Sequence, residues 1–438
     1  MKWLVVGAGS AGCVVARRLL DAGNDVSLVE AGPPLRRANV PPAIDGNDSF
    51  AAVAVPGRTQ DGLVARRTLA GLRTPYLRGR GEGGSSAVNS MVALRGDARL
   101  YESWGWADTD EAFARVLVPT QRPHPEEVGR LTRLLLDADE RAETAPLTRR
   151  DGRRVTSAEA YLWPVQHELH VHTDVMVDRV VFDETGAATG VLLADGALLS
   201  GDAVAVCAGA IHTPAILLRS GVDADGVGRG LNDHPAGAFT LLLRDPSRAG
   251  GLTTSGLLDL DPIQVLPVDH LGPGSPTNLA VLLVALMRPS PGSGSIRLAS
   301  DDPAVHPRVD LDLLTAEHDL DRLSEAVETV LELLTSPGIA AAVESVFIDD
   351  IGTPVGALES RDAIAEWLRR RGADYVHASS SMAHALGDFG TVAGHERLVV
   401  ADASAFPSIP NVNTHVPTMM LAERFVQRWI ENDATANT

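Results

Sequence analysis

With 438 residues the chain is long enough to bury a substantial core spread over two or three domains. Its composition, 45% hydrophobic and 22% charged, is that of an ordinary globular protein, and the net charge of −19 excludes a general attraction to nucleic acid or anionic lipid. Two cysteines, Cys13 and Cys207, cannot build a disulfide framework and point to a reducing compartment. The apolar run at 279–287 is well short of the roughly 20 residues of a membrane span. A strand begins almost at Met1, so no export signal is expected, and a cytoplasmic location is.

In chain order, the opening reads as a strand at 2–6, a glycine turn at 7–12, a helix at 13–22 and a strand at 26–30. Residues 33–75 are rich in Pro, Gly and Ala and read as surface loop, and 79–89 is dense in glycine. A helix is predicted at 107–118 with Asp108 or Thr109 as its cap, whereas 119–155 is charged and carries no clear pattern. Strands follow at 169–173, 175–182, 188–193 and 201–206, then a short helix at 214–220 closed by Gly221. Residues 239–299 alternate apolar runs with Pro/Gly turns, as an antiparallel sheet does. At 316–334 the apolar residues Leu320, Leu323, Val327, Val330, Leu331 and Leu334 recur at helical spacing. The chain ends with a strand at 397–400, an Asp-Ala-Ser turn at 402–404 and a helix from about Thr418, and shows no internal repeat.

Gly7-Ala8-Gly9-Ser10-Ala11-Gly12 stands between an apolar strand and a helix. Gly7 permits the tight turn, Gly9 lets the backbone approach a pyrophosphate, and Gly12 allows close helix–strand packing. Glu30 ends the next strand, where a carboxylate can hydrogen-bond a ribose. This motif alone is compatible with NAD or FAD. The second cluster, Gly79-Arg80-Gly81-Glu82-Gly83-Gly84-Ser85-Ser86-Ala87-Val88-Asn89-Ser90-Met91, is a costly amount of backbone freedom unless something must be approached closely.

At this cluster the chain resembles the glucose–methanol–choline (GMC) family of FAD oxidoreductases, whose first signature it matches. The second signature is similar to Gly209-Ala210-Ile211-His212-Thr213-Pro214, and Gly230-Leu231-Asn232-Asp233-His234-Pro235 matches the segment ending in Asp-His-Pro. Asp402-Ala403-Ser404 and Asn413-Thr414-His415-Val416-Pro417-Thr418 match the C-terminal signature, so the resemblance runs from Lys2 to the last helix. It implies that FAD is held by Gly7, Gly9, Ser10, Ala11, Gly12, Glu30 and Ala31. It also places Gly83, Gly84, Ser85 and Asn89 along the pyrophosphate and flavin, Val92 near the ring, Val180 on the adenine side, and Asp402-Ala403 at the ribityl and pyrophosphate. Some relatives carry a histidine bonded to the flavin where this chain has Val88, so dissociable FAD is expected.

The resemblance also casts His377 as the first catalytic histidine and His415 as the second position, which relatives fill with His or Asn. An imidazole with an ordinary pKa near 6.5 suits the uptake of an alcohol proton at neutral pH, and a second polar group would steady the developing alkoxide. The run after His377, Ser380-Ser381-Met382-Ala383-His384-Ala385, departs from the family pattern and offers His384 as a rival base. His170 and His172 alternate on one strand with no further ligand in view, so no metal is expected. The implied fold is α/β: a Rossmann-type FAD-binding domain with an inserted substrate domain on an antiparallel sheet. The FAD domain is expected over 1–235, with loop or lid segments at 36–75 and 101–154, the substrate domain over 236–374, and a return to the FAD domain over 375–438. The implied activity is oxidation of a small-molecule alcohol to a carbonyl, with oxygen, a quinone or another carrier as electron acceptor. The alternatives are a flavin-containing lyase of the same family and a flavin-binding protein with impaired catalysis.

Overall fold

The computed structural model describes residues 1–222, 225–245 and 251–436. Positions 223–224, in the short connection from Gly221 to Gly226, and 246–250, in the span predicted as antiparallel sheet, lie outside the described residues. At the centre is a five-stranded parallel sheet in the order Leu398–Val400, Ala203–Val206, Lys2–Val6, Asp25–Val29, His170–His172. Leu4, Val5, Leu28 and Val204 are at most 1% exposed, which is why these strands read as continuous apolar runs rather than alternating ones. Helix Ser10–Asp21 links the first two strands and packs against the C-terminal helix His415–Ala436, and the Trp3 and Trp429 rings stack 5.8 Å apart. The Rossmann-type α/β domain is therefore present. No helix among the described residues is long and apolar enough to cross a membrane.

The predicted antiparallel sheet is six-stranded, in the order Val343–Phe347, Ala236–Leu243, Leu279–Leu286, Ile263–Val268, Gly256–Asp259, Ala142–Thr144. Helix Glu317–Leu334 lays Leu320, Leu323, Val327 and Val330 against Phe239, Leu241 and Val284. The sheet's edge strand, Ala142–Thr144, comes from the charged stretch that carried no pattern. Helix Arg130–Ala138 from the same stretch buries Leu131 and Leu135 in the same core. This sheet thus draws chain from outside 236–374.

A third sheet corrects the loop predicted at 33–75. Val64–Thr68 and Arg73–Pro75 form a hairpin whose inner strand pairs in parallel with Arg308–Leu313. Its inner strand buries only the small Ala65 as an apolar side chain: Arg66 pairs with Asp312 at 2.8 Å and Arg67 with Asp374, while Val64 is 37% exposed. A hydrophobicity pattern cannot reveal such a strand.

Three helices start earlier than predicted: Ser10–Asp21 begins inside the glycine turn, and the other two start early for reasons involving proline. Helix Gly209–Arg219 contains Pro214, which has no N–H to give the carbonyl four residues back. The Ser381 hydroxyl donates to that carbonyl, Ala210 O, at 2.6 Å, and the helix continues through the proline. Helix His415–Ala436 places Pro417 in its first turn, where a missing N–H costs nothing.

Candidate active site

A cavity of about 480 Å³ opens at the carboxyl ends of the central strands, where ligands of open α/β sheets bind. Two glycine loops form its floor and meet back to back. A Cβ on Gly84 would stand 2.7 Å from Gly9 Cα, and one on Gly12 would stand 1.8 Å from Gly7 O, so neither position admits a side chain. Gly7, Gly9, Ser10 and Ala11 line the cavity, whereas Gly12 serves packing behind it. Helix Ser10–Asp21 has no side-chain cap and no acidic residue in its first turn. Among the described residues no side chain caps its first amides, and Gly9, Ser10 and Ala11 border the cavity, as an anion site at a helix start requires. Gly83 lies behind the wall and donates its N–H to Ala8 O at 2.8 Å, while Gly84, Ser85, Asn89 and Val92 line the space.

Glu30 and Ala31 also border the cavity, and the Glu30 carboxylate already has work within the protein. It accepts backbone N–H bonds from Ala8 at 2.8 Å, Gly32 at 2.8 Å and Gly81 at 2.9 Å, tying both glycine loops to the strand end. Three of roughly four lone-pair sites are thereby filled, leaving one for a ribose hydroxyl. Asp402 is similarly committed. It accepts from Gly209 N–H, the Thr213 hydroxyl, and the N–H and hydroxyl of Ser404, at 2.5–2.8 Å, and with Ala403 it shapes the opposite wall. Val180 is buried outside the cavity, its N–H bonded to Ser220 Oγ at 2.8 Å. The wall on that side is Val175, Met176 and Val177, so the structure does not bring Val180 to the cavity.

His377 lines the cavity in a loop pinned by Asp233. Asp233 accepts the backbone N–H of His377 at 2.8 Å, that of Tyr375 at 3.2 Å, that of His234 at 2.8 Å and the Tyr76 hydroxyl at 2.6 Å. Burial, with Asp374 nearby, pushes the Asp233 carboxyl above the usual carboxylate range. Burial also drives the His377 imidazole well below its ordinary value, helped by His234 and Arg78. One ligand atom each of Asp233, His234 and His377 lies within 4.8 Å of the others. The two imidazoles are joined to each other, His234 Nδ1 lying 2.9 Å from His377 Nδ1, while the Asp233 carboxylate is taken up by backbone N–H groups and the Tyr76 hydroxyl. His170 and His172 sit on the edge of the parallel sheet and join no three-ligand cluster among the described residues.

His415 lines the same cavity but is engaged elsewhere: its Nδ1 lies 3.0 Å from Ser10 Oγ, at the dinucleotide turn. Its Nε2 is buried without a hydrogen-bond partner among the described residues, and burial lowers its pKa to about 4. The pairing of His377 with His415 expected from the sequence is thus not a direct contact. Asn413, two residues earlier, is a polar group that the motifs did not single out: it lines the cavity, is 8% exposed, and its Oδ1 has no partner among the described residues. Arg154, from the unpatterned stretch, was also missed. It is 1% exposed and donates to Ser86 O, Asn89 O and Asn89 Oδ1, holding the second glycine loop from behind. His384 is exposed, lying near Gly226 and Gly230 outside the cavity wall, so the altered loop offers no rival base there.

A Rossmann-type sheet, two apposed glycine loops and a cavity-facing imidazole define a nucleotide-dependent oxidoreductase. The chain belongs to the GMC oxidoreductase family: the family's N-terminal domain matches residues 1–116 and 138–236, and its C-terminal domain residues 290–422. It is 30% identical to a GMC-type oxidoreductase of Rhodococcus erythropolis, over 96% of this chain and 97% of that one. It is 27% identical to 5-(hydroxymethyl)furfural oxidase of Methylovorus sp., over 96% and 97%. Against an oxygen-dependent choline dehydrogenase of Paraburkholderia phymatum the identity is 29%, over 97% and 92%. Pyridoxine 4-oxidase from Mesorbium loti shares the fold with a TM-score of 0.85 at 22% identity, covering 98% of this chain and 99% of that chain. A formate oxidase variant from Aspergillus oryzae gives 0.86 at 18%, covering 99% and 98%. The protein is accordingly an FAD-dependent oxidoreductase. The uncapped helix start at Ser10, the Gly9–Gly84 approach and the unpartnered Asn413 and His415 atoms fit a large polar cofactor.

Proposed function

We propose that the protein oxidises the CH–OH group of a small alcohol to a carbonyl, with His377 as general base. The observation that carries this reading is the placement of His377: an imidazole kept neutral by burial, anchored through Asp233, with its ring on the cavity wall. Bound FAD supplies the hydride acceptor. The first-turn amides at Ser10, with Gly9, Gly84 and Ser85, would receive its phosphates, and Glu30 a ribose hydroxyl. Asn413, with its buried Oδ1 and the amide beside it, is placed to bond the substrate oxygen and steady it as the hydroxyl proton leaves. His415 belongs to the cofactor side through Ser10. The relatives named above are oxidases and dehydrogenases by name, which supports the oxidoreductase over the lyase alternative. Anaerobic mixing with 5-(hydroxymethyl)furfural, choline and pyridoxine tests the reading. Loss of the visible flavin band on mixing with an alcohol supports it, and aldehyde formed from a cyanohydrin without loss of that band would replace it with the lyase.

A further inference from the structure

We propose that His234 is a positioning residue: it fixes the proton of His377 on Nδ1 and so leaves Nε2 bare to receive the substrate proton. The inference rests on the reading of His377 as base and extends it to the residue behind it. The first constraint is a backbone carbonyl. His234 is fully buried, and its Nε2 lies 2.9 Å from Pro410 O. A carbonyl has no proton to give, so the hydrogen in that bond sits on Nε2. A neutral imidazole carries one N–H, which leaves His234 Nδ1 as a lone pair. Burial keeps the ring neutral, lowering its pKa to about 3 against the pull of the Pro410 and Met287 carbonyls.

That lone pair points at His377 Nδ1, 2.9 Å away, with the two rings nearly perpendicular at 89°. Two lone pairs cannot face each other at this distance, so the hydrogen between the rings belongs to His377 Nδ1. Neutral His377 then has an unprotonated Nε2, and the bond made by one ring nitrogen decides the state of the other. When a substrate hydroxyl gives its proton to Nε2, the O–H bond breaks, the ring becomes an imidazolium, and His234 Nδ1 continues to accept from Nδ1–H. The hydride leaving carbon goes to the oxidised flavin, so charge and electrons balance.

The other groups around His377 leave this arrangement intact. Asp233 holds the His377 backbone, not the ring, and the Tyr375 ring meets it edge-on at 5.4 Å. Tyr76 is spent on Asp233, Asp374 pairs with Arg67, and the Arg78 guanidinium lies over the Tyr76 ring, 5.4 Å from its centre.

The test uses holoenzyme with ring-¹⁵N-labelled histidine, and His377→Gln supplies the assignment. In wild type, His377 is expected to show a protonated Nδ1 and a bare Nε2, and in His234→Leu this pattern is lost. In the kinetic arm, His234→Leu should slow the limiting rate of anaerobic flavin reduction by 5-(hydroxymethyl)furfural about 10- to 10⁴-fold, the upper end being the cost of a wrong histidine tautomer in a catalytic triad. The substrate concentration at half-maximal rate should change less than about threefold, and His234→Asn, which keeps an acceptor near the Nδ1 position, should recover most of the loss. A retained flavin spectrum verifies the fold of each variant. A proton on His377 Nε2 in wild type, or an unchanged tautomer in His234→Leu, overturns the proposal. If the tautomers behave as expected while His377→Ala reduces its flavin at the wild-type rate, the positioning of the proton stands and the base assignment falls.

Discussion

Removing Glu30 distinguishes a cofactor ligand from a structural tie. As a ribose ligand alone, Glu30→Ala would cost one charge-assisted hydrogen bond to FAD, about 1.5–3 kcal/mol or roughly ten- to hundredfold in affinity, and nothing in the apoprotein. The three backbone bonds raise that cost. The carboxylate accepts from Ala8, Gly32 and Gly81 at 2.8–2.9 Å and is 8% exposed, so truncation strands three backbone donors at the junction of both glycine loops. At about 1.5–3 kcal/mol for each bond to a charged acceptor, the gross loss is roughly 4–9 kcal/mol, and water entering the vacated space returns part of it, leaving about 3–5 kcal/mol. That is a large share of the roughly 5–15 kcal/mol typical of a domain. Denaturant unfolding of apoprotein, followed by circular dichroism, is the assay, with FAD titration by fluorescence beside it. The expected result is a marked loss of apoprotein stability as well as weaker FAD binding. Unchanged apoprotein stability with weakened FAD binding would refute the structural tie and return Glu30 to a simple ribose contact.

Three further outcomes follow from the site. Val88 offers no nucleophile and is 8% exposed, so acid precipitation should leave the yellow cofactor in the supernatant; a pellet that stays yellow after washing contradicts this. Because burial lowers the His377 pKa, flavin reduction should be flat above about pH 6 and fall about tenfold per unit once the pH drops below the lowered value. A rate that climbs through about pH 7–8 would require an ordinary or raised imidazole pKa and contradict that environment. Finally, Asn413→Ala should slow flavin reduction about 10- to 100-fold with FAD still bound, whereas His415→Asn, acting through Ser10, should chiefly weaken FAD. The reverse ranking in stopped-flow reduction and FAD titration would restore His415 as the substrate partner.

Local chemistry decided what was legible in the sequence. The strand–glycine turn–helix at 2–21 and the acid at 30 could be read because the geometry they need is encoded within a few residues. The helix at 317–334 was legible because its apolar face recurs with helical period. The hairpin at 64–75 was not, since it buries little apolar surface and is held by Arg66 and Arg73, whose aspartate partners lie more than two hundred residues away. The start of helix Gly209–Arg219 was hidden for a similar reason: the donor that replaces the missing Pro214 N–H is Ser381. Within the site, His377 and His415 were both read from the family motif, and both line the cavity. The resemblance offered His415, but not that folding would bring His234 to the His377 ring or leave Asn413 Oδ1, like His415 Nε2, unpartnered among the described residues. Arg154 gave no signal at all, because a buried arginine bonded to carbonyls of a distant loop looks in sequence like any charged surface residue.

The most direct measurement is stopped-flow anaerobic reduction of FAD-loaded wild type and His377→Ala by the same alcohol at neutral pH. If His377 takes the hydroxyl proton, the variant should keep its flavin spectrum and reduce about 10²–10⁴-fold more slowly, the span typical of general-base catalysis. A fully FAD-loaded His377→Ala protein that reduces at the wild-type rate would contradict the central claim.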